Sequence, residues 1–94
     1  MIYNGLMDIV IAWPRTESFL TSLTDWSDLK EYLDTERVKW RLAGDSSRLA
    51  GYAKQVGNFT QVLIRNACHM VPYDQPKPAF DMINRFTAGK KFSD

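Results

Sequence analysis

Hydrophobic residues recur with more than one spacing in the first third of the chain. An apolar stretch over residues 1–3 predicts a short buried strand, and Asn4-Gly5 is typical of a turn. Pro14 favours the first turn of a helix, because a proline lacks the N–H that this turn leaves unused. Helical spacing then predicts a further helix over residues 27–35. The chain is therefore expected to begin with one strand and two helices.

The middle of the chain changes to the two-residue spacing of strands. Apolar and charged residues alternate over 38–42, which predicts a strand. Two longer extended stretches follow at 49–56 and 59–65, and only Gly57-Asn58 separates them. Such a tight connection favours an antiparallel hairpin. The centre of the last strand is apolar on both faces, which is typical of the interior of a larger sheet.

The C-terminal third returns to helical spacing. A loop is predicted over residues 66–72, followed by a helix over residues 75–87 with Asp74 as its cap. The predicted apolar face of this helix consists of Ala79, Phe80, Ile83 and Phe86. Strands that alternate with helices predict the α/β fold class.

The composition narrows the kind of protein. A chain of 94 residues has room for a single domain. Its formal net charge of +1 argues against nucleic acid or an anionic membrane as the main partner. No apolar run is long enough to span a bilayer. The single cysteine, Cys68, excludes an internal disulfide framework and a cysteine-rich zinc site.

Two polar residues, Asp8 and His69, each follow a predicted strand after four residues. In open α/β sheets the chemistry sits beyond the carboxyl ends of the strands. Asp8 lies among apolar residues, and a buried charge requires a hydrogen-bonding group. From the residues alone each has an ordinary alternative, since Asp8 also suits a helix or turn cap and His69 a surface or core position.

Three segments resemble the serine carboxypeptidase family. The letters C-H-M-V-P-Y-D-Q-P at residues 68–76 are similar to the family's histidine loop, which typically reads G-H-M-V-P-x-D-x-P. Y-N-G-L-M-D at residues 3–8 resembles its Y-x-G-x-x-D strand-end motif, and A-F-D-M-I-N-R-F at residues 79–86 resembles its closing helix. The resemblance covers essentially the whole chain and is strongest to the vitellogenic-like branch.

The resemblance implies the C-terminal part of an α/β-hydrolase fold, with mixed-sheet strands and flanking helices that are incomplete without an upstream part. Residues 1–94 would be the C-terminal segment of a carboxypeptidase domain, with Asp8 and His69 as the aspartate and histidine of the triad. The nucleophilic serine would lie upstream, because no serine of this chain stands in G-x-S-x-G. The implied enzyme releases C-terminal amino acids from peptides through an acyl-enzyme, and the isolated chain is expected to be inactive.

The sequence also predicts roles for three further residues. Met70 matches a family position near the pocket for the departing residue, and a gap-filling methionine would look the same. Asn58 begins the triplet Asn58-Phe59-Thr60 at the predicted hairpin turn, which makes it a candidate N-glycosylation site. Cys68 is expected to be a small buried residue, with a partner for a cysteine elsewhere as the next alternative and a nucleophile as the last.

The expected partners are a peptide substrate and the upstream portion or large chain of the same enzyme, with a homodimer left open. No cofactor, no metal, no nucleic acid and no membrane are expected. The resemblance implies the secretory pathway, with the protein secreted or in a lysosome or vacuole. Two other functions remain open: an acyltransferase or lyase on the same scaffold, and a truncated, non-catalytic fragment with a binding role.

Overall fold

Strands and helices alternate along the chain in the computed structural model, which describes residues 1–8 and 13–93. The strands are β1 (Ile2–Gly5), β2 (Val38–Leu42), β3 (Asp45–Val56) and β4 (Phe59–Ile64). The helices are α1 (Trp13–Thr21), α2 (Leu29–Asp34), α3 (Val71–Asp74) and α4 (Pro76–Thr87). The α/β class predicted from the sequence is confirmed.

The strands of the described residues form one mixed sheet with the order β1-β4-β3-β2. Strands β3 and β4 pair antiparallel through the predicted two-residue turn, with Val56 opposite Phe59. Strand β1 pairs parallel to β4, in a register that runs from Ile2 opposite Gln61 to Gly5 opposite Ile64. Because these two strands run in the same direction, the segments that follow them leave the sheet at the same edge.

Helices cover both faces of the sheet, and β4 shows why. Val62 and Ile64 point to the side of α4 and are fully buried there. Phe59 packs against the helices α1 and α2 on the opposite side, where Leu20 and Tyr32 are buried. The apolar run Val62–Ile64 of this strand is buried throughout, as its sequence predicts. The larger of the two cores, on the α4 side, contains Trp40, Ala53, Val62, Ile64, Val71, Met82 and Phe92.

The prediction of which face of α4 is buried is largely wrong. Ala79 is buried as expected, but Phe80 is 70% exposed, and Ile83 and Phe86 are exposed as well. The helix instead turns a different face to the sheet, with Pro78, Ala79, Met82 and Arg85 buried.

A polar contact explains the rotation of α4. The Asp81 carboxylate accepts a hydrogen bond from the indole N–H of Trp40 at 2.7 Å and one from Arg85 at 2.8 Å. Arg85 also donates to the carbonyl oxygens of Arg41 and Lys91. Buried charges need such partners, and a count of apolar side chains along the helix does not reveal them.

Two local expectations also need correction. Asn4 and Gly5 belong to β1, and the turn lies one step later at Leu6 and Met7. Asp74 does not cap α4, because Gln75 occupies that position without a side-chain cap bond, and Asp74 ends the short helix α3. The predicted loop therefore contains a helical turn.

Candidate active site

Asp8 sits where β1 leaves the sheet. The backbone N–H of Leu6 donates to the carbonyl of Ile64 at 2.9 Å, and that of Met7 donates to the carbonyl of Ala67 at 3.0 Å. The N–H of Asp8 turns back to the carbonyl of Gly5 at 3.1 Å. These bonds hold the turn against the end of β4 and place the Asp8 side chain, which is only 3% exposed, at the carboxyl edge of the sheet.

His69 approaches the same edge from β4. The chain reverses after Ile64 through Asn66, whose φ of 56° lies in the left-handed region that asparagine tolerates better than most residues. His69 Nδ1 then lies 3.1 Å from Asp8 Oδ2, although 61 positions separate the two residues in the chain. The His69 side chain is 48% exposed. The structure thus brings together the two residues that the sequence singled out.

Gly5 makes this approach sterically feasible. A Cβ atom at this position would overlap the carbonyl oxygens of Ala67 and Cys68. The missing side chain lets the segment before His69 lie directly on the end of β1. Any larger residue would push that segment, and the imidazole that follows it, away from Asp8.

The contact defines what the imidazole can do. A neutral ring that donates its Nδ1–H to the Asp8 carboxylate carries its lone pair on Nε2. That nitrogen can accept a proton as a general base, and the buried carboxylate then stabilises the imidazolium that forms. Chemically, the pair can therefore serve as a general base with an orienting carboxylate.

A cavity of about 350 Å³ opens beside the pair. Tyr3, Asn4, Asp8, His69 and Met70 are among the residues that line it. Met70 is 64% exposed, so it does not fill a gap in the described core. Its side chain is available to a ligand that enters the cavity next to His69.

The remaining predicted residues lie elsewhere. Asn58 is exposed in the turn of the β3–β4 hairpin. Cys68 is exposed rather than buried, so that expectation is wrong: the residue lies in the segment between β4 and α3 and not in a packed element. Within residues 1–8 and 13–93, no group of histidine, cysteine and carboxylate side chains is arranged to hold a metal ion. No helix in that part of the chain is long and apolar enough to cross a bilayer.

Comparison with known proteins identifies the family of the chain. The family model of the serine carboxypeptidases matches residues 1–89. This chain belongs to the serine carboxypeptidase family. The mixed sheet with helices on both faces is consistent with a part of the α/β-hydrolase fold expected for serine carboxypeptidases. The family was predicted from the motifs, and this prediction is confirmed.

Individual serine carboxypeptidases are similar over almost the whole chain. The probable serine carboxypeptidase CPVL of Homo sapiens is 48% identical over 90 residues, which is 96% of this chain and 19% of that protein. The venom serine carboxypeptidase of Apis mellifera is 48% identical over 98% of this chain and 19% of its own length. The vitellogenic carboxypeptidase of Aedes aegypti is 48% identical over 93% and 18%. The chain spans about a fifth of the length of these relatives.

Sequence reasoning missed one residue near the site. The Asp74 carboxylate accepts a hydrogen bond from the backbone N–H of Cys68 at 2.8 Å, next to His69. Its place directly before a proline-rich helix start suggested a helix cap instead. The only signal in the sequence is its position in the histidine-loop motif, six residues after Cys68.

Proposed function

We propose that this chain is the C-terminal part of a serine-type carboxypeptidase and supplies Asp8 and His69 to a serine that lies upstream. One observation carries the proposal: in a chain of this family, Asp8 Oδ2 and His69 Nδ1 lie 3.1 Å apart at the carboxyl edge of the sheet. Such an edge is where α/β folds place their chemistry.

His69 acts as the proton carrier in the proposed reaction. The upstream serine hydroxyl attacks the last peptide carbonyl of the substrate while its proton passes to His69 Nε2. The C–N bond then breaks, the imidazolium gives the proton to the departing amine, and the serine remains esterified. Water attacks this ester with His69 again as the base, which releases the shortened peptide. Asp8 keeps the ring oriented and stabilises its charged form.

The serine belongs to an upstream portion of the same polypeptide or to a separate large chain. Ser18, Ser22, Ser27, Ser46, Ser47 and Ser93 are the serines present here. The sequence G-x-S-x-G, which builds the sharp turn that exposes the nucleophile of α/β-hydrolases, does not surround any of them. The isolated chain therefore carries the base and its carboxylate without the group that they activate.

Met70 is proposed to contact the residue that leaves with the amine. Its exposed side chain lines the cavity beside His69, and a flexible thioether adapts to side chains of different shapes. The proposed chemistry uses acid–base and nucleophilic groups only, and so it requires no cofactor. A second copy of the chain as a partner also stays a proposal.

A secretory location, either extracellular or in a lysosome or vacuole, is proposed with this function. The relatives include a protein named as a venom enzyme. In this chain, Asn58 stands in an N-x-T triplet and is exposed at a hairpin tip. We therefore include Asn58 as a glycosylation site.

Turnover of a blocked dipeptide at acidic pH tests the proposal, with the polypeptide purified together with its upstream portion or large chain. We expect His69→Ala and Asp8→Asn to lower kcat by about 10³-fold or more, with a much smaller change in KM. Asp34→Asn, an exposed aspartate of α2, is the matched control and should leave kcat unchanged. The 94-residue chain alone should show no turnover.

Two results would refute the proposal. Full turnover in the His69→Ala variant would show that His69 is not the base. A transcript that encodes no G-x-S-x-G region upstream, together with the absence of a large chain that co-purifies, would refute the enzyme assignment.

A further inference from the structure

We propose that Asp74 is a positioning residue for His69: its carboxylate holds the backbone segment that keeps the imidazole against Asp8. The inference rests on the proposed function, because it assigns a role within the same site. It starts from the one side-chain hydrogen bond that reaches the backbone next to His69 among the described contacts, that from the Cys68 N–H to Asp74 Oδ2 at 2.8 Å.

Asp74 binds the backbone on both sides of His69. Its side chain accepts from Cys68, the residue before the histidine. Its own backbone N–H donates to the carbonyl of Met70, the residue after the histidine, at 3.0 Å. The carbonyl of His69 itself accepts from the N–H of Val71 at 3.1 Å. Hydrogen bonds thus connect the peptide groups on both sides of His69 to the helical turn α3.

The segment before Cys68 is also held by hydrogen bonds, one of them to the turn after β1. The carbonyl of Ala67 accepts from the N–H of Met7 at 3.0 Å, in the turn that also carries Asp8. The side-chain amide of Gln75 donates to the carbonyl of Asn66 at 3.2 Å. Asp74 therefore closes the connection between α3 and the segment that lies on Gly5.

Side-chain packing alone does not fix the orientation of the His69 imidazole. Its side chain is 48% exposed, so the direction of the imidazole follows from the backbone that carries it and from the Asp8 contact. Small misplacements of a catalytic group reduce the rate strongly, because proton transfer depends on distance and alignment. A carboxylate acceptor suits this task, since hydrogen bonds to an ionised group are shorter and stronger than neutral ones.

A helix-capping role does not account for Asp74. The first turn of α4 begins after Gln75, and no side-chain cap bond is formed there. The Asp74 carboxylate points back along the chain to Cys68 instead. This contact holds the segment that carries the histidine, and the first position of α4 is occupied by Pro76, a residue that is favoured there.

The test compares Asp74→Ala with Asp74→Asn in the polypeptide purified with its upstream portion. Asparagine keeps an oxygen acceptor at the same place, whereas alanine removes it. We expect Asp74→Ala to lower kcat by about 10-fold with KM within about 2-fold of wild type, and Asp74→Asn to restore most of kcat. Asp34→Ala serves as the control on another exposed aspartate.

A second readout does not depend on turnover. With ¹⁵N-labelled histidine, the proton on His69 Nδ1 should give a low-field NMR signal that weakens in Asp74→Ala and persists in Asp74→Asn. In the wild-type protein the Cys68 amide should be protected from hydrogen exchange, which also tests the contact if Asp74→Ala fails to fold.

The outcomes separate the two proposals. Rapid exchange of the wild-type Cys68 amide, or an Asp74→Ala variant with unchanged kcat and an unchanged Nδ1 signal, would overturn the positioning role. Equal loss of kcat in both Asp74 variants would overturn it as well, because the acceptor would then not matter. If the wild-type enzyme shows no turnover, the proposed function fails, and the NMR and exchange measurements still decide the role of Asp74.

Discussion

Asp8 and His69 meet at one sheet edge but differ greatly in exposure. The Asp8 side chain is 3% exposed, whereas that of His69 is 48% exposed. A buried carboxylate interacts strongly with a neighbouring cation because little water screens the pair. A half-exposed imidazole, in contrast, remains accessible to a substrate and to the nucleophile that we propose lies upstream. This asymmetry suits a base that is stabilised from one side and used from the other.

At the same scale, glycosylation of Asn58 is a direct prediction. Material secreted from eukaryotic cells should lose mass on treatment with a peptide N-glycosidase, and Asn58→Gln should reduce that loss by the mass of one glycan, because the exposed turn admits a glycan. Asn84→Gln, which alters an asparagine outside any N-x-S/T triplet, is the control. An unchanged mass of the secreted wild-type protein would contradict the prediction.

The two residues of the pair could be predicted from the sequence, but the neighbouring residues that hold them in place could not. Asp8 and His69 each follow a strand, and the parallel pairing of those strands brings them together. Asp74 was expected to cap a helix, because nothing in its neighbours shows that its carboxylate reaches back to Cys68. Gly5 was expected in a turn, although its role depends on which backbone segment lies above it.

Between elements, a polar cluster joins α1, α2 and the sheet on the side opposite α4. The Tyr32 hydroxyl lies 2.6 Å from Glu17 Oε2 and 2.9 Å from Gln61 Oε1. Arg37 donates to the same two acceptors, at 2.8 Å and 3.1 Å. Lys54 donates to the carbonyl of Tyr32 and lies 4.0 Å from the centre of its ring. The helices are therefore attached to β3 and β4 by charge as well as by packing.

Glu17 makes the stability of this cluster dependent on pH. Burial pushes the pKa of Glu17 upward, but the hydrogen bond from Tyr32 and the charge of Arg37 outweigh it and hold the pKa below its ordinary value of 4.5. A carboxyl group whose pKa is lowered by folding stabilises the fold fully above its unfolded pKa. That contribution is lost as the pH falls below 4.5 and through the folded value.

We therefore expect Glu17→Gln to lower the free energy of unfolding by about 1 kcal/mol at neutral pH. Below the ordinary pKa of the carboxyl group, the variant should lose less further stability than the wild type. Urea unfolding followed by circular dichroism over a pH series measures both effects, with Glu36→Gln as the control on an exposed glutamate. Parallel pH curves for Glu17→Gln and the wild type would show that the cluster does not depend on this charge.

Predictions for whole elements succeeded where the spacing of apolar residues determines the structure. They failed where a contact with a particular polar residue determines which face is buried. The β3–β4 hairpin follows from its tight turn, and the burial of Val62–Ile64 in β4 follows from the unbroken apolar run of these three residues. The buried face of α4 does not follow from its sequence, because Asp81 and Arg85 turn toward Trp40 and exclude Phe80 from the core. Only the folded chain reveals those partners.

For the molecule as a whole, the chain spans about a fifth of the relatives that it matches. In the described part, β1 lies at one end of the sheet order and Tyr73 and Phe80 are widely exposed. We propose that a base and its carboxylate lie in this chain, that the nucleophile lies outside it, and that these groups act as one unit.

Labelling with a fluorophosphonate, which modifies activated serines, tests that claim most directly. In the protein purified with its upstream portion or large chain, we predict that one serine outside residues 1–94 reacts, and that His69→Ala or Asp8→Asn slows this reaction by about 10³-fold or more. Asp34→Asn should react like the wild type. Labelling that proceeds at the wild-type rate in the His69→Ala variant would contradict the account.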